Sequence, residues 1–234
     1  MTISDRVAVS DEERARAVRA CAGAALRLVD PDQVLGIGTG TTVNVFIELL
    51  IASDRRPAFA VASSVRTAHL LQAAGIEVMP LPESGRLLLY VDGADEVDVG
   101  LRLIKGGGGA HTREKVLAAS ADTFVCIADD SKLVPVLGGR PVPVEVLPFA
   151  RNYVTRGLRA MGGHVVARAG FVTDNGNEVL DVHGLDLTDP VGIERAVDCI
   201  AGVVACGLFA LRPADVAFIG HADGAVDRLG RAVS

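Results

Sequence analysis

The chain has 234 residues, half of them hydrophobic and 22% charged, which is enough to bury a substantial core and is the opposite of a disordered composition. Its net charge of −6, 4% aromatic content and lack of Trp argue against nucleic acid as a partner, because no basic cluster can neutralise a phosphate backbone and little can stack on bases. No membrane partner is expected either, since the longest uncharged stretch, residues 33–47, is too short and too polar for the ~20 apolar residues that span a bilayer.

At the N-terminus, charges of mixed sign stand where a secretory signal would have an apolar core, so a cytoplasmic location is expected. Apolar and alanine positions then recur with helical spacing over residues 11–28, and 34–37 reads as a short buried strand. A helix is expected over 41–51, a strand over 59–62, a helix over 65–74 ended by Gly75, and a strand over 76–79. Residues 87–91, 101–104 and 123–127 read as further strands, with a helix over 111–119 before the last. Nearly all-apolar strands alternating with helices indicate a parallel sheet covered on both faces, because a strand buried twice shows no polar alternation.

After Lys132 the texture changes to the proline-rich stretch 141–150. The order is then strand (142–147), helix (151–161), strand (164–167), a turn at 174–177, strand (178–182), helix (191–199) and strand (203–209), which is the βαββαβ of a ferredoxin-like module. A last strand at 215–219 is expected to return to the first sheet. The fold class is therefore α/β: a doubly wound, mostly parallel Rossmann-like sheet (1–136 and 210–234) with an inserted smaller ferredoxin-like α+β domain (137–209). Cys21, Cys126, Cys199 and Cys206 have no C-x-x-C spacing and read as free buried thiols.

Four segments carry chemistry. Gly36-Ile37-Gly38-Thr39-Gly40-Thr41-Thr42 lies between a strand and a helix, where helix N–H groups and hydroxyls can surround a phosphate. It is neither a dinucleotide fingerprint nor a P-loop, and a glycine turn that binds nothing is its bland alternative. Asp92-Gly93-Ala94-Asp95-Glu96-Val97-Asp98 follows an apolar strand without the spacing of a calcium loop, and Asp92 and Asp95 suit sugar hydroxyls at the carboxyl end of a sheet. A solvated acidic turn would look similar.

Lys105 precedes the glycines Gly106, Gly107, Gly108 and Gly109, and a helix carrying Glu114 follows. Consecutive glycines cost conformational entropy that is hard to explain unless the backbone must approach something closely. A cation, N–H donors and a carboxylate together suit proton abstraction beside a carbonyl. Lys132, in Asp129-Asp130-Ser131-Lys132, reads equally as a phosphate contact or a solvated lysine. The histidines are too dispersed for a metal site, and no cofactor is expected.

GIGTGTT, VDGADEVD, KGGGGAHTREK, DDSKLV, PVPVEVLPFA and TDNGNEVLDVHG, in this order, closely resemble the A-type ribose-5-phosphate isomerase family from about residue 20 to 224. The resemblance implies interconversion of ribose 5-phosphate and ribulose 5-phosphate without metal or organic cofactor. It implies substrate contacts from Thr39, Gly40, Thr41 and Thr42, from Asp92, Gly93, Ala94 and Asp95, from Lys105, Gly106, Gly107 and Gly108, and from Lys132. Glu114 would be the proton acceptor, Lys105 the stabiliser of a cis-enediolate oxygen and Asp92 an aid to ring opening. A homodimer or homotetramer is implied as well. Where the family often carries two lysines in its first helix, one near the substrate phosphate, this chain has Val18 and Arg19; the family's common Ser is here Thr41. Another sugar-phosphate enzyme on the same scaffold, or a sugar-phosphate sensor, remains open at this point.

Overall fold

A computed structural model describes residues 10–83 and 85–231; the ends of the expected first domain, 1–9 and 232–234, lie outside them. Helix α1 (Asp11–Leu26) opens with a capping box, in which the Ser10 hydroxyl accepts the Glu13 N–H at 3.2 Å and the Glu13 carboxylate accepts the Ser10 N–H at 2.8 Å. There follow β1 (Leu35–Ile37), α2 (Thr41–Ile51), β2 (Phe59–Ala62), α3 (Val65–Ala73), β3 (Glu77–Val78), β4 (Leu87–Gly93), β5 (Glu96–Val97), β6 (Leu103–Ile104), α4 (His111–Ser120) and β7 (Ala121–Asp129). After a single 3-10 turn at Asp130–Lys132 come β8 (Val142–Val146), α5 (Arg151–Ala160), β9 (His164–Ala167), β10 (Glu178–His183), α6 (Pro190–Asp198), β11 (Val203–Cys206), β12 (Leu208–Phe209), β13 (Val216–Gly220) and β14 (Val226–Gly230).

The main sheet has the order β14-β13-β7-β4-β1-β2-β3, parallel throughout except for β14. Its central strands are buried on both faces, and successive residues feed different cores. Val125 and Ile127 of β7 join Leu35, Ile37 and Val91 against α1 and α2. Phe124, Cys126 and Ala128 join Tyr90 and the Leu117 side of α4. This double burial is the reason these strands read as continuous apolar runs. The chain goes one way from β1 to β3 and the other from β4 to β13, so the strand order reverses between β1 and β4. A crevice for a ligand opens at the carboxyl ends of strands at such a point.

The second, antiparallel sheet runs β11-β8-β10-β9, which is the strand order of a βαββαβ module whose two outer connections are helices α5 and α6. It has its own core around Val144, Val154, Leu158, Leu180 and Val197. We propose the boundaries 137 and 209 for this module within the larger body.

Three expectations change. The strand expected over 203–209 is divided at Gly207, whose N–H donates to Pro143 O at 2.6 Å while its carbonyl accepts the Lys105 N–H at 2.9 Å. Residues 203–206 thus belong to the second sheet, while β12 pairs with β6 in a small third sheet, β12-β6-β5. The strand expected over 101–104 begins only at Leu103, because Leu101 turns through the left-handed region at φ 60°. Cys199 is exposed at the end of α6, unlike the other three cysteines. Among the described residues, no helix is long and apolar enough to cross a membrane.

Candidate active site

The segment after β1 and the end of β4 meet at the reversal point. Asp92 is fully buried, and both its oxygens are occupied. Oδ1 accepts the N–H groups of Gly93 at 2.7 Å and Thr39 at 3.1 Å. Oδ2 accepts the Tyr90 hydroxyl and lies 2.8 Å from Lys105 Nζ. Nothing larger than glycine fits opposite: a Cβ on Gly38 would lie 1.9 Å from Asp92 Oδ1. Gly38→Ala is accordingly expected to displace the carboxylate, lowering both thermal stability and turnover; a variant with the wild-type melting temperature and kcat would show that the neighbourhood yields.

Lys105 leaves β6 with only 3% of its surface exposed and donates to Gly93 O at 2.5 Å, while Glu114 Oε2 lies 3.2 Å from the ammonium. Burial alone would push the Lys105 ammonium down, but the Asp92 and Glu114 carboxylates more than offset it and hold the group protonated. Glu114, on the first turn of α4, has its carboxyl pushed up to about 8, first by burial and then by the negative charge of Asp92, with Lys105 opposing. One ammonium thus faces two carboxylates, and Glu114 is the one left short of compensation. Its Oε2 has no hydrogen-bond partner among the described residues.

These groups border a cavity of about 420 Å³, lined by Thr39 to Val43, Gly93 to Asp95, Lys105 to Ala110, Glu114 and Lys132 among others. Gly40, Thr41 and Thr42 bring the N-terminus of α2, whose first N–H groups have no side-chain cap, to the wall, and such an end favours an anion. Lys132 comes from the 3-10 turn after β7, which Asp129 caps through the Ser131 N–H at 3.1 Å. Asp95 lines the cavity and accepts the Gly107 N–H at 2.8 Å.

Of the residues expected to contact substrate or accept its proton, all but Asp92 lie on the cavity wall. Asp92 stands behind Lys105, buried and off the cavity wall. Thr39 is on the wall, but its hydroxyl is engaged by Ser63 at 2.7 Å and Ser64 at 2.8 Å, which leaves it a structural part in this arrangement. Arg19 is exposed on α1 and is not on the wall; the arginine that is there is Arg66 of α3, which sequence reasoning missed. His111, buried beside Gly106, is pushed down to about 4, chiefly by burial, and is therefore a neutral ring at neutral pH.

Ser64 and the loop between β9 and β10, with Phe171, Val172 and Asp174, complete the wall. The turn in that loop is pinned by Glu145 of β8, a buried carboxylate that accepts from Thr112 at 2.5 Å, Asn177 at 2.7 Å, Thr173 at 2.9 Å and Asn175 at 3.0 Å. Burial would raise this carboxyl, but the four donors hold it below the ordinary glutamate range. Asp174 in turn accepts the Val65 N–H at 2.8 Å, at the start of α3. The turn thereby spans from one side of the cavity to the other. Only the D-N-G-N spelling of a turn was visible in sequence; Glu145 sits inside an apolar strand and gives no local signal.

The family described as ribose 5-phosphate isomerase A (phosphoriboisomerase A) matches residues 59–224 of this chain. A relative in Acidithiobacillus ferrooxidans named ribose-5-phosphate isomerase A is 52% identical over 207 residues, covering 88% of this chain and 94% of that protein. The solved structure of ribose 5 phosphate isomerase A from Neisseria gonorrhoeae superposes with a TM-score of 0.90 at 41% identity, covering 96% of this chain and 99% of that one. A D-ribose-5-phosphate isomerase solved in complex with phospho-erythronic acid superposes with a TM-score of 0.87 at 34% identity, covering 93% and 99% of the two chains.

Proposed function

The chain belongs to the ribose 5-phosphate isomerase A family, and from that membership, which makes it an isomerase of ribose 5-phosphate and ribulose 5-phosphate in the pentose phosphate pathway, we propose how its residues carry the reaction. Glu114 removes the proton from C2 of the open-chain aldose. The electron pair passes through a C1–C2 double bond to O1, giving a cis-enediolate. The O2 hydroxyl proton passes to O1, and the same carboxyl returns a proton to C1 as O2 becomes the ketone oxygen, so no proton or electron is gained or lost overall. Lys105 and the backbone N–H groups of the glycine run hold the developing negative oxygen.

The observation that carries this reading is the buried Lys105–Glu114 pair, 3.2 Å apart in the wall of the cavity. Its carboxyl is held up, so it is a stronger base than an ordinary glutamate and is poised near neutral pH. The phosphate is assigned to the N-terminus of α2, with Thr41, Thr42 and Lys132; holding it fixes C1 and C2 relative to Glu114, which is how remote binding lowers a barrier. Gly93, Ala94 and Asp95 are assigned to the sugar hydroxyls. A cytoplasmic homodimer or homotetramer is the rest of the proposal, supported by family membership.

The competing route, a hydride shift, normally needs metal ions polarising both oxygens, and among the described residues no three His, Cys, Asp or Glu side chains are grouped to hold one. Conversion in D₂O with excess EDTA separates the routes. Undiminished turnover with deuterium entering C1 of ribulose 5-phosphate is expected. Loss of activity in EDTA, or product and recovered substrate free of carbon-bound deuterium, would contradict the proposal.

A further inference from the structure

We propose that Arg168 is a positioning residue for this reaction: it grips the glycine run from behind and sets the direction in which that backbone presents its N–H groups to the reacting oxygens. The inference rests on the enediolate reading above.

Arg168 follows β9 in the second sheet, yet it reaches the glycine run of the first body. One guanidinium nitrogen donates to Gly107 O at 3.1 Å and to Gly106 O at 3.3 Å, and the other terminal nitrogen reaches Gly106 O at 3.4 Å. A peptide is planar, and its carbonyl and N–H point in opposite directions. The peptide joining Gly106 to Gly107 is consequently held at both ends, by Arg168 at the carbonyl and by Asp95 at the N–H, 2.8 Å away. In the next peptide, Arg168 holds the Gly107 carbonyl, which turns the Gly108 N–H away from the guanidinium, and Gly108 is a cavity residue.

The guanidinium is itself fixed. Asp181 of the neighbouring strand β10 accepts from it in bidentate fashion at 2.9 and 2.5 Å. Its face lies over the Phe171 ring at 5.3 Å, and Phe171 packs so closely on Gly109 that a Cβ there would sit 2.3 Å from the ring. The Gly109 N–H closes a turn on Gly106 O at 2.9 Å, but glycines impose little conformation of their own, so the rest of the order of this backbone comes from Asp95 and Arg168. Two carbonyls and a carboxylate also require a planar fork of donors, which a lysine ammonium cannot supply.

The test compares wild type with Arg168→Lys and Asp181→Asn, measuring kcat and KM for ribose 5-phosphate, the Ki of phospho-erythronic acid, whose planar anionic carboxylate resembles an enediolate in charge and shape, and thermal unfolding. Misdirected donors are expected to lower kcat of Arg168→Lys by about 10²-fold and to raise the Ki by a similar factor, with KM nearly unchanged. Asp181→Asn should shift the same quantities in the same direction, by less. A folded Arg168→Lys with wild-type kcat would overturn the inference. So would a reduced kcat with the wild-type Ki, because a merely structural role lowers the amount of active protein without changing its preference for the anionic analogue. Failure of the underlying reading would be recognised separately, as wild-type enzyme that incorporates no deuterium.

Discussion

Glu114→Gln is expected to lower turnover by at least ~10²-fold, the low end for loss of a general base, while ribose 5-phosphate still binds. Gln keeps the shape of the carboxylic acid but cannot accept the C2 proton. The same variant has a signature in stability. Burial and Asp92 push the Glu114 carboxyl from 4.5 up to about 8, so the folded protein binds this proton more tightly than the unfolded chain. The stability associated with it is fully present below the unfolded value and is lost as pH rises toward 8. Gln has no proton to lose. The melting temperature of Glu114→Gln should therefore gain on that of wild type as pH is raised from about 4.5 to 8. Wild-type kcat in the variant, or a difference in melting temperature that stays constant across this range, would refute the assignment.

Lys105→Met is expected to be costly in two ways. It removes the cation facing the developing oxyanion, a loss of about 10²–10³-fold in kcat on the scale of a single oxyanion-hole donor. It also leaves the Asp92 and Glu114 carboxylates, which are 0% and 4% exposed at the side chain, without their ammonium. Breaking a buried pair in this manner typically costs about 3–5 kcal/mol, which urea unfolding would register. The double variant Asp92→Asn/Lys105→Met removes one of the two stranded charges and relieves its repulsion of Glu114, so it should recover part of the stability and none of the rate. Recovery of rate, or near wild-type kcat in Lys105→Met, would show that the lysine is only a counter-ion.

Much of this site is legible in sequence because it is built from contiguous stretches at strand ends. The turn from Gly38 to Thr42, the acids after β4 and the glycine run after β6 each announce themselves locally, and the parallel topology brings them to one edge. What is not legible depends on contacts between distant segments. Nothing around Asp92 distinguishes it from Asp95, yet Tyr90, Thr39 and Lys105 close over one while the other stays on the cavity wall.

Arg168 and Glu145 act across the boundary between the two sheets, on partners 61 and 33 residues away in the chain, and no periodicity encodes that. The division of the 203–209 strand escapes for a related reason. The run stays apolar on both sides of Gly207, while the hydrogen-bonding partner changes from one sheet to another. The edge strand β14 gives no sequence signal, because its half-exposed, polar residues carry none of the apolar pattern of the strands it extends.

Glu114 is assigned as the base, in surroundings that hold its proton until near-neutral pH. The most direct measurement is kcat/KM for ribose 5-phosphate from pH 5 to pH 10, which reports the ionisation of the free enzyme. An acid limb is expected that falls about tenfold per pH unit below an apparent pKa near 8 and is absent from the residual activity of Glu114→Gln. A limb at the ordinary glutamate value, or one that survives unchanged in Glu114→Gln, would contradict the assignment.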